Sequence, residues 1–217
     1  MMSYLDPGHS RNTLPRLVLV SGSPAAGKTT LARHLAKALH LPLVSRDILT
    51  GALADSLRDH APDDAARLAE AKVLAKASFA IMHALIVDLL ANGQGVIAET
   101  NYLRGISEHD LLPPLQISDA RLVHCEITRD LSLRRFTDRF DRGGRHWAMN
   151  DGDRVARIRS GRHHSDDAWD RAVPLDLEIP LLRVNTTNGY DPGIEVIIAF
   201  AKSGSDAPPN GLTAAQL

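Results

Sequence analysis

Residues 17–30 constrain this chain more than any other stretch, because they run from an apolar segment through a loop framed by two glycines into a helical pattern. The loop, residues 22–29, satisfies the pattern G-x-x-x-x-G-K-[ST]. In that pattern, backbone N–H groups surround phosphates, the lysine reaches the terminal phosphates and the hydroxyl ligates Mg²⁺. Leu31, Leu35 and Leu39 recur at every fourth position, so the helix after the loop is amphipathic and its N-terminus also faces the anion. The stretch therefore predicts nucleotide binding.

Each part of the loop has a physical reason. Gly22 and Gly27 let the main chain adopt positive φ and approach a ligand closely. Lys28 supplies a point charge, and Thr29 supplies a hard oxygen for a metal. The residues that we expect a nucleotide to contact are Gly22, Ser23, Pro24, Ala25, Ala26, Gly27, Lys28, Thr29 and Thr30.

The size and charge of the chain favour a small ligand over a polymer. With 217 residues and 44% hydrophobic content, the chain can bury one full core. Its formal net charge is −1, so no overall positive field gathers nucleic acid or an anionic membrane. The single cysteine, Cys125, excludes an internal disulfide and lies in an apolar run that predicts a buried thiol. Residues 1–16 have no apolar leader, and we expect a cytoplasmic protein without a membrane-spanning segment.

Apolar strands alternate with helical patterns along the chain, which predicts an α/β fold with a parallel sheet. Ligands of such a sheet gather at the carboxyl ends of its strands. The expected fold is the five-stranded parallel sheet of a P-loop NTPase, with a helical acceptor lobe and an arginine-rich lid. The predicted strands lie at residues 17–20, 43–45, 95–99, 121–127 and 177–184, and the predicted helices follow the loop and cover 48–91, about 130–142 and 193–202.

One domain is expected over residues 16–202. Within it, we place the acceptor lobe at about 48–92 and the lid at about 130–160. Residues 1–15 and 203–217 are polar or rich in proline and glycine, so we expect them to be flexible tails without catalytic residues.

Polar residues follow the second and third predicted strands. Asp47 can accept a proton from an acceptor hydroxyl aligned with the γ-phosphate, or it can cap the helix that follows it. Glu99 stands where an acid holds the Mg²⁺ water shell in many phosphate-loop enzymes, and it can also be a solvated strand end or a cap. Thr100 and Asn101 are candidate substrate contacts. Arg104 is either a clamp for an anionic acceptor or an exposed loop residue.

The basic segment after residue 129 predicts a second anion site. Arg135, Arg139 and Arg142 share one helical face, and like charges so placed are unfavourable unless an anion lies among them. A triphosphate is the expected anion. The Gly-Gly pair that follows and then Arg145 are typical of a lid that closes over phosphates and excludes water. Arg145 is the leading candidate in the lid, and His146 is expected at its surface.

Two further polar clusters carry weaker signals. His163 and His164 are adjacent, so their side chains point in different directions, and no third ligand is spaced to match. A solvated loop is therefore favoured over a metal site. Residues 185–187, Asn-Thr-Thr, can line an adenine pocket or form an ordinary turn.

The candidate residues resemble those of the small P-loop kinases with an AAA-type ATP-binding domain, such as zeta-toxin kinases, chloramphenicol phosphotransferase, gluconate kinase and polynucleotide kinase. The residues that carry the resemblance are the loop, Asp47, Glu99, Thr100, Asn101, Arg135 and Arg139. The resemblance covers about residues 16–202. It implies that Asp47 acts as base toward a hydroxyl and that Arg135, Arg139 and Arg142 hold the transferring phosphoryl group. The polynucleotide kinases have an aspartate where this chain has Glu99.

The sequence as a whole predicts an ATP- and Mg²⁺-dependent kinase that phosphorylates a hydroxyl of a small molecule. Lys28 is expected to bind the phosphates, Thr29 the metal, and Arg139 with Arg145 the developing charge. A polynucleotide 5′-hydroxyl kinase is the nearest alternative, although the acids between residues 55 and 72 oppose a phosphate backbone. The other alternative is a nucleotide-dependent ATPase switch, which usually takes an arginine from a neighbour.

Overall fold

The structure, a computed structural model, describes residues 14–57, 64–143, 145–162 and 167–204. Its strands are β1 (Arg16–Gly22), β2 (Leu43–Ser45), β3 (Val96–Glu99), β4 (Asp119–Glu126) and β5 (Leu181–Asn185). They form one parallel sheet in the order β2-β3-β1-β4-β5, which confirms the predicted five-stranded parallel sheet. Because β1 pairs with β3 on one side and β4 on the other, the strand order reverses beside it, and the phosphate loop begins at this point.

Helices connect the strands and cover both faces of the sheet. They are α1 (Lys28–Leu39), α2 (Arg46–Ser56), α3 (Asp64–Ala91), α4 (Ser107–Gln116), α5 (Arg129–Asp141), α6 (Asp151–Arg159), α7 (Asp167–Asp170) and α8 (Ile194–Lys202), with a 3₁₀ turn at Trp147–Met149. Since successive strand residues point to opposite faces, β1 contributes to two cores. Val18 and Val20 pack in the cluster that contains α1 and α8 residues, and Leu17 and Leu19 pack in the one that contains α3 residues.

The long helix α3 is more apolar than we expected. Its segment Ala71–Ala91 is long and apolar enough to cross a membrane by length and composition alone, whereas we expected no run of that length. Met82, Ile86 and Leu90 of this segment are buried in the core beneath the sheet. We therefore interpret α3 as a core helix of the α/β fold.

Parts of the secondary structure differ from the prediction, including α6, α7 and the 3₁₀ turn, which were not predicted. The pattern over residues 48–91 belongs to two helices, α2 and α3, and the sequence between them contains Pro62, a residue that disfavours a continuous helix. The last strand was predicted at 177–184 but begins at Leu181, because Pro180 has no N–H group for the ladder. Helix α4 was not predicted, since two prolines lie within it.

Gly22 lies where β1 leaves the sheet and enters the loop. Its φ is +136°, and a Cβ at this position would lie 2.3 Å from the carbonyl oxygen of Cys125 on β4. Because Gly22 and Cys125 are still paired in the ladder, only glycine lets the loop begin without separating the strands. Cys125 itself is fully buried, as predicted, and burial raises the pKa of its thiol to about 12.

His124 precedes this cysteine on β4 and is 2% exposed. Burial, followed by the charges of Lys28 and Arg183, lowers the pKa of His124 to about 4. Since an unfolded histidine titrates near 6.5, the unfolded chain takes up a proton between pH 6.5 and 4 that the folded chain does not. The free energy of unfolding therefore decreases as pH falls through this window, and we expect His124 to account for about 2 kcal/mol by pH 5.

Urea unfolding at pH 7, 6 and 5 measures this loss. In His124→Gln the free energy of unfolding should fall by about 2 kcal/mol less between pH 7 and pH 5 than in the wild type, because glutamine does not titrate. His109→Gln is the matched control, since the side chain of His109 is exposed. An equal pH dependence in the wild type and in His124→Gln would contradict the assignment.

Candidate nucleotide and acceptor site

A cavity of about 410 Å³ opens at the carboxyl ends of β1, β2 and β3. It brings together residues that are far apart in the sequence, as the order of the parallel strands predicts. The predicted residues that line it are Pro24, Ala25, Gly27, Lys28, Thr29, Thr30, Asp47, Glu99, Thr100, Asn101, Arg135, Arg139, Arg142 and Arg145. Arg46 and Arg154 also line the cavity, and neither was predicted.

The phosphate loop forms the floor of the cavity and has the geometry of an anion site. Gly27 has φ of +81° and occupies the N-cap position of α1, where no side chain caps the helix and its first turn contains no acid. The N–H groups at this end are therefore available to an anion. Lys28 is buried, and its Nζ donates a hydrogen bond to the carbonyl oxygen of Ser23 at 2.8 Å. Burial lowers the pKa of Lys28, whereas the nearby Glu99 carboxylate raises it.

Glu99 connects the loop to the second strand. Its side chain is 3% exposed, and its two oxygens accept hydrogen bonds from Thr29 Oγ1 at 3.2 Å and from Ser45 Oγ at 2.7 Å. Hydroxyl and carboxylate oxygens beside a phosphate site are the ligands that Mg²⁺ prefers. Among the described residues, no group of three or more His, Cys, Asp or Glu side chains can hold a metal. Thr29 and Glu99 are thus the residues that would hold a magnesium ion beside the phosphate loop.

Glu99→Gln should raise the Mg²⁺ concentration needed for half-maximal nucleotide turnover by about 10-fold to 100-fold. The amide oxygen can still accept a hydrogen bond from one of the two hydroxyls, and the NH2 group can donate to the other, but the charge that attracts the cation is lost. A magnesium titration of ADP formation measures the change. Glu126→Gln, at the partly buried end of β4, is the control, and an unchanged Mg²⁺ requirement in Glu99→Gln would exclude the metal role.

Asp47 lies in the first turn of α2 and points into the cavity. Its alternative role as the N-cap is wrong, because Ser45 occupies the N-cap position. The Asp47 carboxylate instead contacts the Arg145 guanidinium through one oxygen and lies 3.8 Å from Arg46 Nη2 through the other. A carboxylate oxygen in this position is an acceptor for a hydrogen bond or a proton.

Arg145 is held by a second acid that the sequence analysis missed. Its Nε and Nη2 atoms donate to the two carboxylate oxygens of Asp151 at 3.0 and 2.7 Å. Asp151 is buried at the start of α6, and it also lies 3.7 Å from Arg139 Nη2. The bidentate contact orients the Arg145 guanidinium beside Asp47 in this structure. The sequence signal was an acid soon after the lid arginine, but its burial depends on the tertiary fold.

Arg135 lies at the other end of the cavity. It donates hydrogen bonds to the carbonyl oxygens of Thr186 and Thr187 at 3.1 and 2.7 Å. Thr186 in turn donates from Oγ1 to the carbonyl oxygen of Ala26 at 2.8 Å. The turn after β5 is thus linked to both the phosphate loop and α5, but Asn185 and Thr187 line a neighbouring cavity rather than the 410 Å³ one.

The remaining predicted residues have separate environments. Arg104 does not line the cavity; its Nη2 lies 3.8 Å from Asp176 Oδ2 beside another depression, and its side chain is half exposed. His146 accepts a hydrogen bond from Ala148 N and contacts Asp55 at 3.1 Å. His163 and His164 lie outside the described residues.

The match to a known family agrees with this geometry. A family model described as an AAA domain matches residues 17–157. The chain belongs to the AAA domain family. No curated protein matches the chain. The matched residues include the phosphate loop, α2, α3 and every arginine that lines the cavity, as well as Asp151.

Solved structures that resemble this AAA domain protein include several kinases. A provisionally assigned kinase from Chloroflexus aurantiacus J-10-fl is 26% identical, with a TM-score of 0.70 and coverage of 86% of this chain and 96% of that chain. A sugar kinase from Janibacter sp. HTCC2649 is 14% identical, with a TM-score of 0.52 and coverage of 86% and 94%. The APS kinase of Mycobacterium tuberculosis, solved with AMPPNP and APS, is 15% identical, with a TM-score of 0.52 and coverage of 88% and 99%. The last two show the fold alone. The predicted resemblance to small P-loop kinases is confirmed.

Proposed function

We propose that this AAA domain protein transfers the γ-phosphoryl group of ATP to a hydroxyl of a small molecule. The observation that carries the proposal is the position of Asp47. Its carboxylate lines the same 410 Å³ cavity as Lys28 and the lid arginines, so a base, a phosphate cradle and positive charge surround one space. This is the set of groups that phosphoryl transfer to a hydroxyl requires.

Each residue has a role that follows from its position. Lys28 and the loop amides hold the β- and γ-phosphates, and Arg135 with residues 185–187 holds the nucleoside end. Asp47 accepts the proton of the acceptor hydroxyl while the hydroxyl oxygen bonds to the γ-phosphorus and the bond to the β–γ bridging oxygen breaks, which releases ADP. Arg139 and Arg145 neutralise the charge that develops.

Thr29 and Glu99 are the residues that would hold Mg²⁺, which supplies charge neutralisation between the β- and γ-phosphates. Asp47 has to leave Arg145 before it receives a proton. We propose that the lid arginine turns toward the phosphates when nucleotide and acceptor are both bound. The lid then excludes water while Asp47 faces the acceptor.

The rival functions fit the site less well. An ATPase switch usually receives its arginine from a neighbour, whereas Arg139 and Arg145 of this chain already line the cavity. Against a polynucleotide kinase, the sequence between residues 55 and 72 is rich in acids, which oppose a phosphate backbone. A small-molecule acceptor and a cytoplasmic location are therefore part of the proposal, as are the domain limits 16–202.

A transfer screen with γ-labelled ATP tests the proposal. The panel consists of sugars, nucleosides, aminoglycosides and short oligonucleotides, each incubated with the protein and Mg²⁺. We expect label on a hydroxyl of one class of small molecule and none with Asp47→Asn. ADP formation that no member of the panel stimulates, but that a protein partner does, would favour the switch instead.

A further inference from the structure

The cavity contains more positive charge than a nucleotide needs. Seven cationic and two anionic side chains line it, and the anions are Asp47 and Glu99. Asp151 does not line the cavity itself. It forms ion pairs with Arg145 and Arg139 and so neutralises one further positive charge. ATP with one Mg²⁺ brings only about two net negative charges. Positive charge therefore remains after the nucleotide is counted.

We place the excess positive charge at the acceptor end of the cavity, around Asp47. Arg46 Nη2 is 3.8 Å from Asp47, but its buried Nε has no hydrogen-bond partner among the described residues. The Arg46 guanidinium is also 4.9 Å from the centre of the Phe79 ring on α3. Stacking and burial hold Arg46 in place, so it is not free to turn into solvent.

Arg154 is the second cation at this end. It lies three residues after Asp151 on α6, one helical turn along the same face, and its side chain is partly buried at the cavity. Within the part of the chain that the structure describes, Arg154 makes no hydrogen bond or ion pair. Burial lowers the pKa of Arg46 most, Asp47 opposes this effect, and the charges of Arg145 and Arg154 lower it further. Arg46 and Arg154 are thus near enough to repel each other.

We propose that the acceptor carries an oxyanion, a phosphate or a carboxylate, beside the hydroxyl that is phosphorylated, and that Arg46 and Arg154 bind this oxyanion. The inference rests on the proposed function, because it concerns the acceptor end of the same cavity. Guanidinium groups bind phosphate and carboxylate with paired hydrogen bonds. An anion between Arg46 and Arg154 removes their repulsion and supplies the partner that Arg46 Nε lacks.

Anion binding can be measured without turnover. The protein is saturated with Mg²⁺ and a non-hydrolysable ATP analogue, which occupies the phosphate loop, and inorganic phosphate and acetate are then titrated separately with thermal shift and ³¹P NMR readouts. We expect saturable binding of at least one anion, weakened about 10-fold in Arg46→Gln and in Arg154→Gln, with nucleotide affinity within about 2-fold of the wild type. Arg134→Gln, on the exposed side of α5, is the matched control. Equal anion affinity in all variants, or none in the wild type, would overturn the inference.

Acceptor pairs then test the same point in catalysis. Glycerol is compared with glycerol 3-phosphate, glucose with glucose 6-phosphate and gluconate, and an oligonucleotide with its 3′-phosphorylated form. We expect transfer to the phosphate or carboxylate member of a small-molecule pair, with kcat/KM lowered about 10-fold or more in Arg154→Gln. Equal transfer to neutral members, or preference for the oligonucleotides, would overturn the small anionic acceptor. No transfer to any member would contradict the kinase proposal, whereas anion binding would still decide the role of Arg46 and Arg154.

Discussion

Asp47→Asn is expected to lower kcat for phosphoryl transfer by about 10²-fold to 10⁴-fold. The amide has nearly the same shape and can still contact Arg145 and Arg46, but it cannot take the proton of the acceptor hydroxyl. Nucleotide affinity should change little, since Asp47 lies at the acceptor end of the cavity, away from the loop. Steady-state kinetics and titration with an ATP analogue separate these two quantities.

The control for this substitution is Asp88→Asn. Asp88 is an exposed acid on α3 outside the cavity, and its replacement also removes one negative charge. We expect Asp88→Asn to keep the activity of the wild type. If Asp47→Asn also keeps full activity, Asp47 is not the base. The proposed mechanism of phosphoryl transfer would then be wrong.

Lys28→Met should lower kcat/KM for ATP by about 10²-fold to 10³-fold, comparable to the loss of one oxyanion donor. Methionine keeps the length and burial of the side chain but removes the charge. The structure gives Lys28 Nζ one hydrogen bond, to the carbonyl oxygen of Ser23, and its remaining donors are available to phosphate oxygens. Unlike Asp47→Asn, this variant should also bind nucleotide more weakly, which calorimetric titration measures.

Lys37→Met is the corresponding control on the same helix, because Lys37 is exposed in the last turn of α1. Thermal unfolding of both variants tests whether the fold is intact. Activity of Lys28→Met within a few-fold of the wild type would mean that the loop holds a nucleotide for a purpose other than phosphoryl transfer.

The phosphate loop was predictable because its function depends on consecutive residues and on the backbone. Strand, glycines, lysine and helix follow one another in the sequence, so their geometry is local. The positions of Asp47 and Glu99 were also predictable, since parallel strands bring their carboxyl ends to one edge. The α/β alternation alone placed these side chains near the loop, and the structure shows both at the cavity.

Contacts that depend on tertiary packing were not predictable. Asp151 is buried because α6 packs against α5, and a sequence pattern cannot distinguish this acid from the exposed Asp153 near it. Arg154 reaches the cavity for the same reason. Asp47 looked like a helix cap because local sequence favours that role, yet the helix begins one residue earlier, at Arg46.

The burial of Cys125 has a practical use. This thiol is the only one in the chain and is fully enclosed, and its pKa of about 12 keeps it protonated at neutral pH. Maleimides attack the thiolate, so the native protein should not react with them. In Ala156→Cys, on the exposed side of α6, the new thiol is then the single labelling position. A fluorophore attached there would test the proposed movement of the lid in real time without removal of the native cysteine.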